Sequence, residues 1–129
     1  MSISFPLITK NARAQAVVDD VNNGTTNAEG QLFLKDSGDN VLAKLPLSNP
    51  AFLTVTNGSA IADAITNGTG LLAGASIKFD VVDRDETVIF SGTVGAVGSG
   101  ADLESDTSSV TIAVGETVEC SSLTYVEAS

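Results

Sequence analysis

The spacing of hydrophobic residues changes along the chain. In NARAQAVVDDVNNG, residues 11–24, Ala14, Val17, Val18 and Val21 recur at i, i+3, i+4 and i+7, while Arg13, Asp19, Asp20 and Asn22 point elsewhere. This pattern predicts a helix over about residues 11–23, with Asn11 as its N-cap and Gly24 as the left-handed residue that ends it. Valine is a mediocre helix former, so the apolar stripe must be held against a sheet. Ahead of the helix, Ile3, Phe5 and Leu7 alternate with other residues and Pro6 lies between them. That predicts an extended arm, residues 1–10, which either binds a neighbouring subunit through Ile3, Phe5 and Leu7 or forms an intramolecular edge strand.

Beyond residue 24 the period is close to two. QLFLKD, the turn SGDN and VLAKLPL predict a hairpin with Leu32, Leu34, Val41 and Leu45 in the core. Pro50 restricts Asn49 to extended or turn conformations. The near-copies TNGS at 56–59 and TNGT at 66–69 both carry Asn-Gly, a strong hairpin signal. Between them, Ala60, Ile61, Ala64 and Ile65 fit a helical face, but Ile61 and Ile65 also share a strand face, and the flanking turns favour strand. LLAGASIKFDVV alternates Leu71, Ala73, Ala75, Ile77, Phe79 and Val81 onto one side, and the turn DRDE joins it to TVIFSGTVGAV with Val88, Phe90 and Val94 inward. After the loop GSGAD, SSVTIAV and TVECSSLTYVEA form a last hairpin. Its inward parity switches from Val118 and Cys120 to Leu123 and Tyr125, which predicts a bulge near Ser121 and Ser122. The expected fold is mainly β: an antiparallel β-sandwich or jelly-roll-like domain, residues 11–129, with one N-terminal helix.

Composition supports one domain, because 129 residues at 43% hydrophobic content suffice for a single core. Six basic residues against 16 acidic ones give a net charge of −10, which argues against a nucleic-acid partner. No apolar run approaches the roughly 20 residues a membrane helix needs, and MSISFPLITK is too interrupted for a signal peptide. The chain is expected to be soluble and made in the cytoplasm.

Candidate chemistry is sparse. The sequence has no His and no Trp, and Cys120 stands alone, so Ser-His-Asp and Cys-His mechanisms, His/Cys zinc sites and an intramolecular disulfide are excluded. Neither an enzyme nor a cofactor is expected. DVVDRDE brings Asp80, Asp83, Asp85 and Glu86 together, but acidic residues in a hairpin turn are ordinarily solvated rather than calcium ligands. GTVGAVGSG has no Lys and opens no helix, so it reads as a bend and not a phosphate loop.

Three stretches carry a resemblance: ARAQAVVDDVNNG near the start, LAKLPLSNPAF in the first half, and GADLESDTSSVTIAVGETVECSSLTYVE at the end. In this order they resemble a family of small virion proteins of tailed bacteriophages, with its opening A-x-x-x-A-V-V-D helix, L-x-L-S-N/D-P-A-F segment and closing A-D-L stretch with a G-x-T-V turn. Members are described as head decoration or minor tail proteins. The resemblance implies a structural protein of the virion. An acidic chain suits the outer surface of a capsid better than its DNA-filled interior. The expectation is a capsid decoration protein, a trimer with the major capsid protein as partner. A minor tail protein is the second reading, and a β-sandwich module binding a host or cell surface is the third.

Overall fold

The computed structural model of the chain describes residues 7–105 and 110–126, with side chains described from Asn11 onward. The fold is mainly β with one N-terminal helix, a β-sandwich-like domain built on a curled, largely antiparallel sheet. Ile3 and Phe5 lie outside the described residues.

Helix α1, Leu7–Asp20, starts four residues before Asn11, so Leu7 belongs to the helix backbone and Asn11 is not its cap. The Asn11 side chain reaches sideways instead, its Oδ1 accepting the Gly58 N–H at 2.7 Å. The apolar stripe is as the spacing requires: Ala14, Val18 and Val21 are buried and Val17 is half-buried. Past the helix, Asn22 Oδ1 accepts the Ala51 N–H at 2.8 Å, and Gly24 has a positive φ of 118°. Two asparagine amides thus fasten the helix to separate loops.

The main sheet comprises β1 (Gln31–Lys35), β2 (Val41–Pro46), β6 (Lys78–Val82), β7 (Val88–Gly95) and β8 (Leu103–Glu104) in the order β2-β1-β6-β7-β8, and of these strands only β7 and β8 run parallel to each other. The predicted β1–β2 hairpin forms, and Asp36 Oδ1 closes its turn by accepting the Gly38 and Asn40 N–H groups. Its register slips between Leu34 and Lys35. Past that slip Leu42 is buried and Val41 is only half-buried, an inversion of the expected parity. Around the sheet lie two-stranded ribbons: β3 (Ser59–Ile61) with β11 (Thr124–Val126), β4 (Gly68–Thr69) with β10 (Thr117–Val118), and β5 (Gly74–Ala75) with β9 (Thr111–Ile112). Sheet residues Leu32, Leu34, Leu45, Phe79 and Val81 share one core with Ala60, Ile112 and Leu123 of the ribbons' side and with Val18 and Val21 of the helix.

Several expectations are corrected. The long strand from Leu71 to Val82 is two short ones, because at Ser76 and Ile77 the chain passes from one set of partners to another: Ser76 N–H donates to Val110 O and Ile77 N–H to Lys35 O. Buried Ser76 satisfies its hydroxyl on Lys35 O, and Ile77 is 47% exposed instead of central. Thr111–Ile112 and Thr117–Val118 do not pair with each other but with β5 and β4. Ala60, not Ile61, points inward in β3. Val88, expected inward, is exposed, whereas Val94 is buried. The inward parity does switch between half-buried Cys120 and buried Leu123, but not through the expected bulge, because the chain at Ser121 and Ser122 has left strand geometry between β10 and β11.

Phe79 sits opposite Gly92 in the β6–β7 pair, and a Cβ on Gly92 would come within 2.5 Å of its ring. The ring therefore lies across a strand position that has no side chain. Phe79→Ala is expected to cost about 3–5 kcal/mol, whereas Ile77→Ala should stay within about 0.5 kcal/mol of the parent. Urea denaturation of the two variants measures both.

Candidate interaction surfaces

Gly70 is where three parts of the chain meet. Its N–H donates to Glu116 O at 2.7 Å, its carbonyl accepts the Gly115 N–H at 2.9 Å, and it forms an isolated bridge with Ala43 of β2. Leu71 N–H then donates to Leu42 O at 2.7 Å. A Cβ on Gly70 would lie 2.0 Å from Ala113 O, so only glycine permits this approach. The clasp has a consequence for the surface. Leu71 and Leu72 follow Gly70 and are each 48% exposed, while Val114, beside Gly115, is 69% exposed. Ala73 and Ala113 are exposed next to them. Backbone bonds spend the inward directions here, and the apolar side chains are left in water on a protein of charge −10.

A second apolar strip lies on the β3–β11 ribbon. Ile61 pairs with Thr124 and Val126 with Ser59, so these four side chains share the outer face; Leu53, whose N–H donates to Ile61 O, extends it. On the inner face Tyr125 meets Phe90 at 4.9 Å between ring centroids, and Phe90 also contacts Phe52 and Phe79. This aromatic cluster joins the ribbon to β7.

The acidic turn is engaged with the protein's own donors. Asp83 Oδ1 accepts the Asp85 and Thr87 N–H groups, each at 2.9 Å. Asp85 Oδ1 accepts those of Thr25 and Thr26, also at 2.9 Å, and these bonds hold its carboxyl below the usual carboxylate range. Asp80 lies between Lys35 and Ser91; partial burial raises its pKa, but those two hydrogen bonds and the nearby lysines lower it overall. Glu86 pairs with Lys44 at 3.5 Å. Among the described residues no group of three or more His, Cys, Asp or Glu is arranged to hold a metal ion. Burial pushes the Cys120 thiol up, which keeps it protonated and weakly reactive at neutral pH.

The clasp was not visible in the sequence: Gly70 falls between the TNGT turn and the alternating run that starts at Leu71, and nothing local marks it as a meeting point. The expected partner-binding residues are not brought together by the described structure, since Ile3 and Phe5 lie outside it and only the backbone of Leu7 lies inside. Comparison with known families, curated proteins and solved structures finds no match.

Gly70→Ala should destabilise the fold by about 1–3 kcal/mol through overpacking against Ala113 O, read from the denaturation midpoint. Asp85 supplies a pH test. Its folded pKa is depressed, so its contribution is full at neutral pH and is lost as pH falls from the ordinary carboxylate value through the lowered folded one. Asp85→Asn should therefore be less stable than the parent at pH 7, with the difference shrinking toward about pH 3; urea midpoints at the two pH values measure it.

Proposed function

We propose that the chain is a structural protein of a tailed-bacteriophage virion, a capsid decoration protein that self-associates on the outer surface of the head and contacts the major capsid protein. The observation that carries this reading is the exposed apolar surface around Gly70, where Leu71, Leu72 and Val114 face water on a strongly acidic protein. Such a surface suits contact with another protein, and self-association would cover it. Charge agrees with the location: a net −10 is repelled by packaged DNA but meets no such opposition outside the shell.

The three stretches that carry the resemblance also support the reading by where they fall. ARAQAVVDD forms most of α1, and the LPLSNPAF segment runs from β2 beneath it, with Leu47, Ala51 and Phe52 buried and Ala51 tied to Asn22. The Gly115 turn of the third stretch closes the clasp. All three therefore serve the framework that presents the apolar surface.

Sedimentation velocity is expected to show a trimer of the parent chain. Leu72→Glu combined with Val114→Glu should shift it to monomer while leaving the fold intact, since both side chains are exposed. A parent that stays monomeric both in solution and on particles would overturn self-association. Mass spectrometry of separated heads and tails should find the chain with heads. Recovery with tails would move the assignment to a minor tail protein, and absence from particles would remove it from the virion.

A further inference from the structure

Three Asn-Gly pairs occur in the chain, Asn23-Gly24, Asn57-Gly58 and Asn67-Gly68, each followed by Thr or Ser. An asparagine before glycine readily loses its side-chain amide, because the glycine nitrogen can reach the asparagine Cγ unhindered by a Cβ. With such similar neighbours the three pairs are close to equal in an unfolded chain. The fold makes them unequal through what it does with each glycine N–H.

At Asn57 that N–H is taken. Gly58 is buried and its N–H donates to Asn11 Oδ1 at 2.7 Å, while Thr56 and Ser59 exchange two backbone bonds, at 2.8 and 3.0 Å, across the turn. At Asn67 it is taken as well. Gly68 is the register partner of Val118, two residues from the Gly70 N–H bond to Glu116 O. Alternate positions of an antiparallel ladder share one orientation, so the Gly68 N–H points at β10. Gly68 is also buried, with Lys44 O 2.4 Å from where its Cβ would lie.

Asn23 differs. Its side chain is exposed, and its Nδ2 donates to the exposed Asp20 carboxylate at 3.1 Å, a bond that water replaces at little cost. In the run from Asn22 to Asn27 the backbone N–H groups go to Asp19 O, Asp20 O, Asp85 Oδ1 (twice) and Arg84 O, and only that of Gly24 meets no acceptor among the described residues. Nearby charge slows a reaction there without stopping it: the Asp20 and Asp85 carboxylates oppose loss of the Gly24 proton, and Arg84 favours it.

We propose that Asn23 is the site at which this protein deamidates. The Gly24 nitrogen gives its proton to solvent and bonds to Asn23 Cγ; the Cγ–Nδ2 bond breaks, ammonia leaves and a succinimide ring closes. Water then opens the ring. Breaking the new bond from Cγ to nitrogen gives aspartate at position 23, and breaking the original peptide bond gives isoaspartate, with the main chain rerouted through Cβ and Cγ. One water enters and one ammonia leaves, with no change of oxidation state. Isoaspartate turns the carbonyl that accepts the Arg84 N–H into a free carboxylate and lengthens the main chain, so the stretch between α1 and β1 loses its fit to the turn at Arg84 and Asp85. Either product adds negative charge just past the C-terminal end of α1, where the helix dipole disfavours it. None of this depends on the virion reading.

Peptide mapping by mass spectrometry tests it on the full-length protein, held folded in mildly alkaline buffer and sampled over time, with the converted residue located by fragmentation. Asn23 should convert at least about tenfold faster than Asn57 and Asn67, with isoaspartate among its products. In urea the three should converge. Conversion of Asn57 or Asn67 as fast as Asn23 in the folded protein would overturn the proposal. So would an Asn23 that stays intact while the urea-unfolded chain converts, or one that leads by the same margin in urea, where the fold cannot set the order.

Discussion

The arrangement of the strands depends on the absence of a side chain at Gly70. Three chain segments, distant in sequence, share backbone hydrogen bonds there, and a single methyl group would collide with Ala113 O. Because β4 and β5 flank this point and β10 and β9 flank its partner, the ribbons that face the main sheet take their positions from it. The bridge to Ala43 then ties that arrangement to β2, so the sheet curls instead of ending at an edge. The core follows: Ile112 reaches the same interior as Leu34 and Val94 only because the 111–118 segment is held across Gly70.

What the sequence made legible was whatever depends on neighbours along the chain. The stripe of Ala14, Val18 and Val21, the β1–β2 hairpin, the β6–β7 hairpin and the parity change after Cys120 all arise from local periodicity and turn chemistry, and all are present. What stayed hidden depends on partners far away. The Asn-Gly pairs of the two near-copies make the contrast plain. Asn57 and Gly58 both have positive φ and close a tight turn between Thr56 and Ser59. Gly68 has no such φ; it is glycine because a Cβ would approach Lys44 O to 2.4 Å. The same dipeptide serves conformation in one place and close approach in the other, and only the fold distinguishes them.

The long alternating run failed for a related reason. Six residues of matching parity suggested one central strand, yet alternation specifies a strand only while its partners continue, and at Ser76 and Ile77 they change. For the candidate surface the lesson is sharper. Exposed Leu71, Leu72 and Val114 read as core residues by type, and their exposure comes from backbone geometry that composition does not encode.

The helix is fastened by neutral groups: Asn11 to Gly58 at one end, Asn22 to Ala51 at the other, with the apolar stripe between them. The nearby loop at Thr25 and Thr26 is fastened by a carboxylate, that of Asp85. Neighbouring attachments therefore answer to different conditions. Protonation weakens the Asp85 bonds and leaves the amide bonds untouched, and neither the amides nor the buried valines carry charge for salt to screen. In an acidifying medium the loop after the helix would come loose first, and the helix would remain docked as long as its apolar face stays covered.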